Sequence, residues 1–579
     1  NLLIFAAGIA TGRPVIGSGR NSAGAISPLT GGFGDAEAGG YWGTELEAAG
    51  YDVIVIAGQA AEPVYIFIHD REVSIRSAAR CWGIPTVQAQ ELLREESGCR
   101  EARVAQIGPG GENLVRYACI VNDLHHFYGR CGLGAVMGAK RLKAVVVRGS
   151  GSPAVHDTAA LEKCWRQVLR RERKGFKSFG RLGTTSALEY FNEMGALPTR
   201  NFQKGTFEGA AAISGRRISH TILQARGTCA SGIGRVCPIA CKRVVGIADG
   251  PFPVDPRYGG PEYETLAALG SLCGVRELAM VAKANELCAG YGIDTISTGA
   301  AVAFAMECFE QGLLTTRHTG GMTLSFGDGA AMIEMIHRIA RREGIGDLLA
   351  EGTKRASEQI PGSAGVAMEV KGQEIPMVEP RFRQGLGLGY MVSPTGADHN
   401  HNIHDSNYTE DGDKLWEARS MGIAAPLAEN DLGHEKVRLF VYLTPWRYLL
   451  NCIGLCKFIP YRYEELPPII NAITGWETTL FELIKVGERA INLCRLVNIR
   501  RGFTPADDRL PARFFHDSGD GALRGIDEQA MQQAKHAYYL MMGWSPETGA
   551  PLPGTLLELG LDWAVSCLEP ETDGETLCR

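Results

Sequence analysis

The chain has no apolar run near the roughly 18 residues that a membrane helix needs, which excludes a transmembrane segment of that kind. It has no large charge of one sign: 59 basic residues against 65 acidic ones leave −6, which argues against a nucleic-acid footprint. It has no regular disulfide framework either. Its 16 cysteines are scattered, from Cys81, Cys99 and Cys119 through Cys131, Cys164 and onward, as suits a reducing compartment, so a cytoplasmic location is expected. Neither a Walker nor an ordered Rossmann glycine motif occurs. The opening "NLLIFAAGIA" lacks a basic leader and reads as a strand and turn; it does not begin with Met, and further residues are expected before it. What remains is an ordinary globular composition, 45% hydrophobic and 21% charged, over 579 residues, enough for about three to four domains.

The organisation changes along the chain. Up to about residue 155 short β-branched runs ("DVIVIAG", "PVYIFIHD", "EVSIRSA", "ARVAQIG", "KAVVVRG") alternate with glycine-dense loops, "GSGRNSAGAISPLTGGFGDAEAGGYWG" and "YGRCGLGAVMGAK". Beyond it the spacing turns helical, beginning with "TAALEKCWRQVLRRERKGFKSF". The basic face of that helix (Arg166, Arg170, Arg171, Arg173, Lys174) reads as solvated, with docking of an acidic electron carrier as the second reading. "GAAMIEMIHRIARREGIGDLLAEGTKRASEQI" reads as two helices with a glycine break, and "TLFELIKVGERAINLCRLVNIRRGF" as the longest helix of the last third. The predicted class is α+β: a β-rich domain over 1–155, then mainly helical domains over 156–370 and 371–579.

Four groups of residues carry chemistry. In "CASGIGRVCPIAC", Cys237 and Cys241 form C-x3-C with Cys229 eight residues upstream, and "NCIGLCKF" offers Cys452 or Cys456 as a remote fourth thiol. Spacing alone leaves an iron–sulfur cluster, a zinc site and unliganded cysteines open. The glycine loops offer backbone N–H groups with Arg20 and Arg130, which suit a phosphate, or are tight turns. "YGIDTIS" and "IGLCKF" echo one another: glycine, an aliphatic residue, then Asp294 or Cys456. Asp294 can face an N–C–N donor edge of a guanine-like ring, or simply cap the helix that follows. Acid–base candidates are Glu262 and Glu264 in "GGPEYETLAALG", and His399 beside Asp398 in "TGADHNHNIHD"; His401 and His404 read as surface residues.

These pieces together resemble the aldehyde:ferredoxin oxidoreductase family of tungstopterin enzymes. "GSGRNSAGAISPLTGGFGDAEAGGYWGTELEAAGYD", "GRCGLGAVMGAKRLKAVVVRG", "LGTTSALEYFNEMGALPTRNFQ", "CPIACKR", "GPEYETLAALGSLCG", "GIDTISTG", "GADH", "GLCKF" and "NIRRGFTPADDRLPARFF" occur in family order across almost the whole chain. The resemblance implies a β-rich base for two pyranopterins covered by two helical domains. It implies tungsten, or molybdenum, held by dithiolene sulfurs, a magnesium ion bridging the pterin phosphates, and a 4Fe–4S cluster beside one pterin. Carried over, Arg20 and Arg130 face cofactor phosphate, and the loop containing Glu37, where relatives often have Asn, passes the magnesium. Gly292 and Asp294 end the first pterin motif. Gly454, Leu455 and Cys456 end the second, Cys456 as a cluster ligand. The leading acidic positions of the two motifs are Ala289 and Asn451 here.

The family pattern C-x2-C-x3-C meets Gly234 where its first cysteine belongs. The expectation is that Cys229 reaches in through an enlarged loop and joins Cys237, Cys241 and Cys456; altered ligation and loss of the cluster are the alternatives. The implied reaction oxidises a small-molecule aldehyde to a carboxylic acid, with Glu262 as the first choice of base, Glu264 as the second, and His399 as donor. Electrons leave through the cluster to ferredoxin or an iron–sulfur partner subunit, and an oligomer is expected. Two alternatives stand beside it: a catalytic subunit reducing an aromatic acyl-thioester, and a cofactor-depleted structural or electron-relay subunit.

Overall fold

The computed structural model describes residues 1–568; residues 569–579, the end of the third predicted domain, lie outside the described residues. Ten strands precede residue 150: β1 (Leu3–Ala7), β2 (Asn21–Ile26), β3 (Phe33–Ala38), β4 (Val53–Ile56), β5 (Val64–His69), β6 (Glu72–Ser77), β7 (Arg103–Gln106), β8 (Ile120–Asn122), β9 (His126–Tyr128) and β10 (Leu142–Arg148). They form an antiparallel sheet in the order β3-β2-β1-β4 and a mixed sheet in the order β6-β5-β10-β7-β8-β9, in which β10 runs parallel to β5. Trp42 is fully buried within the core the two sheets share. Its ring lies 5.3 Å from that of Phe5, and its indole N–H donates to the Val145 carbonyl at 3.0 Å.

The β-branched runs form β4, β5, β6, β7 and β10 as expected from their composition. The first glycine-dense stretch, read from sequence as loop, instead contains the hairpin β2–β3, registered from Asn21 opposite Ala38 to Ile26 opposite Phe33. Its strands are built from Ala, Gly, Ser and acidic residues, so propensity hides them; pairing to β1 holds them in place. Side chains of β3 alternate across the sheet: Ala36 and Ala38 enter the core, while Asp35 and Glu37 face the other way. The second glycine stretch, also read as loop, carries the helix Leu133–Ala139. There a Cβ on Gly134 or Gly138 would lie 2.4 or 1.9 Å from a backbone oxygen of the neighbouring segment.

Past residue 150 the chain is mainly helical, beginning with Thr158–Leu182, capped by Asp157. The stretch read as two helices after residue 329 is three: Gly329–Arg341, Ile345–Leu349 and Thr353–Gln359. Gly344 and Gly352, both at positive φ, break it twice. In the last third His434–Ile453 crosses Leu480–Arg500 so closely that a Cβ on Gly487 would sit 2.0 Å from the Pro445 carbonyl. One buried apolar cluster runs through these helices from Ala10 to Trp544. No helix among the described residues is long and apolar enough to cross a membrane.

Hydrogen bonds between remote segments sew the β-rich part to the helices. The Phe33 N–H donates to Asn498 Oδ1 at 2.7 Å, the Ala10 N–H to the Ile453 carbonyl at 2.8 Å, and Arg130 to the carbonyls of Ala397 and Glu374 at 2.8 and 2.7 Å. Between the two parts lies a cavity of about 780 Å³, within the ~300–1,000 Å³ usual for small-molecule and cofactor sites.

Candidate functional site

Two helices stop in the same way at this cavity. Helix Leu278–Tyr291 ends at Gly292 (φ +67°) and helix His434–Ile453 at Gly454 (φ +77°), left-handed positions that favour glycine. The Ile293 N–H then donates back to the Cys288 carbonyl at 3.0 Å, and the Leu455 N–H to the Leu450 carbonyl at 2.9 Å. These are the closing bonds of a Schellman stop, and Ile293 and Leu455 are its buried anchors. The next residue in each case, Asp294 or Cys456, lines the cavity. The echo in the sequence is therefore a repeated local structure. Gly292, Gly454 and Leu455 set the turn and do not line the cavity. A Cβ on Gly292 would meet the Gly108 nitrogen at 2.8 Å, and one on Gly454 the Thr11 hydroxyl at 2.4 Å.

The four candidate cluster cysteines meet at one wall. Residues 229–237 form a tight hairpin: Ala230 and Val236 pair, and the Cys237 N–H donates to the Cys229 carbonyl at 2.8 Å. This brings the two thiols within hydrogen-bond reach of each other. Gly234 sits at the hairpin tip at φ +71° with open space around its Cα, away from the cavity. Cys241 follows on the same segment, and Cys456 arrives from the second helix stop, where the Cys456 N–H donates to the Gly17 carbonyl at 3.0 Å. Cys452 is exposed instead. The Cys229 thiol is pushed well above its ordinary pKa by its hydrogen bond to Cys237 and by burial, and burial pushes the Cys241 thiol to about 12. Such thiols are inert unless a metal takes them as thiolates. No three of these sulfurs lie within 4.8 Å of one another among the described residues. Zinc, with Zn–S near 2.3 Å, would draw all its sulfurs to about 3.8 Å of one another, closer than any three of these stand among the described residues.

Glu262 and Glu264 flank the start of the helix Tyr263–Leu266 and have separate fates. Glu262 forms an ion pair with Lys242 at 3.0 Å and accepts from the Thr184 hydroxyl. Glu264 has one oxygen, Oε2, held by the Met377 N–H at 2.7 Å, while Oε1 lies 3.7 Å from His399 Nε2. Burial raises the Glu264 carboxyl to about 7; burial, helped by Lys457, lowers His399 to about 3. At neutral pH His399 is a neutral imidazole and Glu264 stands near half-ionised, a separation typical of an acid–base pair. His404, read from sequence as a surface residue, is half-buried and steadies this wall. Its Nδ1 accepts from Arg383 Nη1 at 2.7 Å, which leaves Nε2 to donate to the His399 carbonyl at 3.1 Å.

Asp294 caps the helix Thr295–Glu310. Oδ1 accepts from the Ile296 N–H, and Oδ2 accepts from the Ser297 N–H and hydroxyl and from Arg130 Nε at 3.3 Å. Arg130 is thereby tied to Asp294 and two carbonyls, although it still borders the cavity. Arg20 is freer: among the described residues its one ion pair is to Glu37, at 3.7 Å.

His401 and Asp35 were not expected here. His401 is 1% exposed; Nε2 lies 3.1 Å from Glu37 Oε1 and 3.3 Å from Asp35 Oδ2, and Nδ1 lies 3.3 Å from Asp398 Oδ1. Three carboxylates outweigh its burial and hold the imidazole protonated well above its ordinary range. In sequence, three histidines in a polar loop look like surface; the loop is polar because it is folded against the acidic face of β3. The one usable signal was the i, i+2 spacing of Asp35 and Glu37, which a strand turns into a shared face.

Comparison with known proteins agrees over the full length. The family description "Aldehyde ferredoxin oxidoreductase, N-terminal domain" matches residues 1–149, and "Aldehyde ferredoxin oxidoreductase, domains 2 & 3" matches 160–561. The tungsten-containing aldehyde ferredoxin oxidoreductase of Pyrococcus abyssi is 36% identical over 97% of this chain and 90% of its own length. A Pyrococcus furiosus protein named aliphatic sulfonate oxidoreductase, WOR-like subunit, is 30% identical over 90% of this chain and 82% of its own. Among solved structures, the active-site complex BamBC of benzoyl coenzyme A reductase with 1,5-dienoyl-CoA superposes with a TM-score of 0.81. It is 26% identical and covers 98% of this chain and 90% of that one.

Proposed function

The chain belongs to the aldehyde ferredoxin oxidoreductase family, and from that premise we propose that it oxidises an aldehyde and water to a carboxylic acid, releasing two protons and two electrons. The observation that carries this is the meeting, in one cavity, of four thiols from two remote segments with the Glu264–His399 pair. Bound there, a tungsten (or molybdenum) bis-pyranopterin supplies two-electron redox chemistry and a 4Fe–4S cluster passes the electrons on singly. The donor set fits the cluster: Cys229, Cys237, Cys241 and Cys456 all face the cavity, and a Cβ on Gly39 would come within 4.0 Å of the Cys229 sulfur. Arg20, half-free at the cavity edge, would hold cofactor phosphate, with magnesium as counter-ion.

Glu264, ahead of Glu262, takes the proton. Its Oε1 is unengaged by any backbone group, and its pKa near 7 balances ionised fraction against basicity. Glu262, the first choice from sequence, has its carboxylate occupied by Lys242 and Thr184, and so supports the wall. His399, neutral, donates an N–H to the aldehyde oxygen and orients the carbonyl, and His404 keeps the His399 backbone in place. Electrons leave from the cysteine wall to ferredoxin or an iron–sulfur partner.

The test is metal content and dye reduction on anaerobically purified protein. One tungsten with about four iron atoms per chain and aldehyde-dependent viologen reduction are expected, and Cys229→Ala should remove most of the iron. Tungsten without iron would sink the cluster, and fully loaded protein that ignores every aldehyde but reduces an aromatic acyl-thioester would move the assignment to the reductase class.

A further inference from the structure

Helix Thr158–Leu182 lies between the two chain segments that carry the four thiols. One flank runs against the first segment. A Cβ on Gly180 would sit 2.1 Å from the Ile239 carbonyl oxygen, and one on Gly183, just past the helix, 2.3 Å from that of Cys241. Glu162 pairs with Arg235 of the cysteine hairpin at 2.9 Å, and that guanidinium lies 5.1 Å over the Trp165 ring. The other flank meets the second segment. Phe179 contacts the ring of Phe458, two residues past Cys456, at 5.2 Å, and Arg171 donates to the Pro460 carbonyl at 2.8 Å and pairs with Glu465. The face turned away from both segments is basic. We propose that this face is the docking site of a small, soluble, acidic electron carrier of the ferredoxin kind, an inference that rests on reading the four thiols as a cluster.

Charge supports it first. Arg166, Arg170, Arg173, Lys174, Lys177 and Arg181 are all exposed, and among the described residues their side chains hold no ion pair or hydrogen bond. At 3.6 residues per turn they fall in one stripe about 100° wide. Both acids of the helix, Glu162 and Glu172, are half-buried and taken by Arg235 and Arg171. Arg171, part of the basic face by sequence, is instead turned inward to Glu172 and Glu465. The stripe contains two ladders of like charge four residues apart, Arg166–Arg170–Lys174 and Arg173–Lys177–Arg181, which weaken a helix in isolation. On a chain of net charge −6 this is no general basicity. Against an acidic partner the same charges steer encounter and fix its orientation.

Position and size name the occupant. A partner on this face is separated from the cysteine segments by one helix, about 10 Å across. From Arg166 to Arg181 the stripe runs about 22 Å along the helix axis, a length that suits the transient encounters of electron transfer, which bury less than about 1,200 Å². The step moves no atoms. A reduced cluster gives one electron to an oxidised carrier, which leaves reduced, and two carriers serve each aldehyde.

The experiment is binding of an oxidised, acidic two-cluster ferredoxin to the immobilised holoenzyme at rising salt, a readout that needs no aldehyde. Affinity should fall steeply as the Debye length shrinks below about 10 Å. The triple variant Lys174→Glu/Lys177→Glu/Arg181→Glu should weaken binding about 10–10³-fold and raise KM for the same ferredoxin in step. Its kcat with benzyl viologen, its iron and tungsten content and its Tm should stay as in the parent, and Lys177→Arg alone should keep the affinity. Affinity indifferent to salt and to the triple variant would overturn the proposal, as would a tightly held iron–sulfur subunit that covers this face and excludes ferredoxin. Salt-dependent binding without aldehyde-dependent dye reduction would uphold the docking face and overturn the oxidation reading, so the two fail separately.

Discussion

His399 and His401 sit two residues apart on one loop, both shielded from water, and yet they hold opposite charge states. Burial pushes both towards neutrality. It prevails at His399, where Lys457 and Arg130 add to it, and the imidazole falls to about 3. It is overruled at His401 by Asp35, Glu37 and Asp398. The loop thus presents a neutral hydrogen-bond donor to the Glu264 side of the cavity and a cationic group to the β3 side. Neighbouring charge, set by which strand or helix each residue faces, decides the chemistry.

The contrast can be broken most severely on the His399 side. Glu264→Gln should lower kcat by about 10²–10⁴-fold. In the parent, kcat should rise with pH through about 7, because the base must be ionised and its pKa is raised to that value; that limb should vanish in the variant. Steady-state dye reduction across neutral pH checks both. A variant that keeps the limb would reassign the base. His399→Leu comes next: loss of one positioned donor costs about 10²–10³-fold in kcat, with little change in the pH limb. A smaller effect is expected on the other side. Asp398→Asn leaves His401 with two carboxylates and should destabilise by about 1–3 kcal/mol, read as a lower Tm at unchanged cofactor content. Glu262→Gln should change kcat least, by less than about tenfold, since its carboxylate serves Lys242 and Thr184. A larger fall than for Glu264→Gln would restore Glu262 as the base.

Much of the framework could be read before folding. The strands built from Val and Ile declare themselves, and so does the helix after Asp157. The hairpin β2–β3 did not, because Ala, Gly and Ser form strands only where partners impose it. The α+β class and the family follow from motif order, which survives local ambiguity. Within the site, type and spacing nominate Cys229, Cys237 and Cys241 with either Cys452 or Cys456, the family resemblance picks out Cys456, and residues 229–237 form a hairpin whose tip, Gly234, points away from the cavity. Glu262 against Glu264 was beyond sequence: two residues apart at a helix start, they diverge by an angle that only the neighbouring Met377 N–H and Lys242 turn into different roles. His401 was hidden for the same reason, since its burial belongs to a surface contributed more than 360 positions earlier by Asp35 and Glu37.

The wide sequence separation of the cavity walls bears on biosynthesis. The hydrogen bond from Phe33 to Asn498 joins residues 465 positions apart, and the thiol quartet is incomplete until Cys456 has been made. During translation the N-terminal sheets can fold as a unit while the ribosome is still far upstream of these partners. Throughout that interval the acidic face of β3 and the hairpin cysteines are open to water. A group that needs Cys456 could be retained only once that residue has been made, and a ribosome stalled before the Cys456 codon would carry a folded platform with an incomplete thiol quartet.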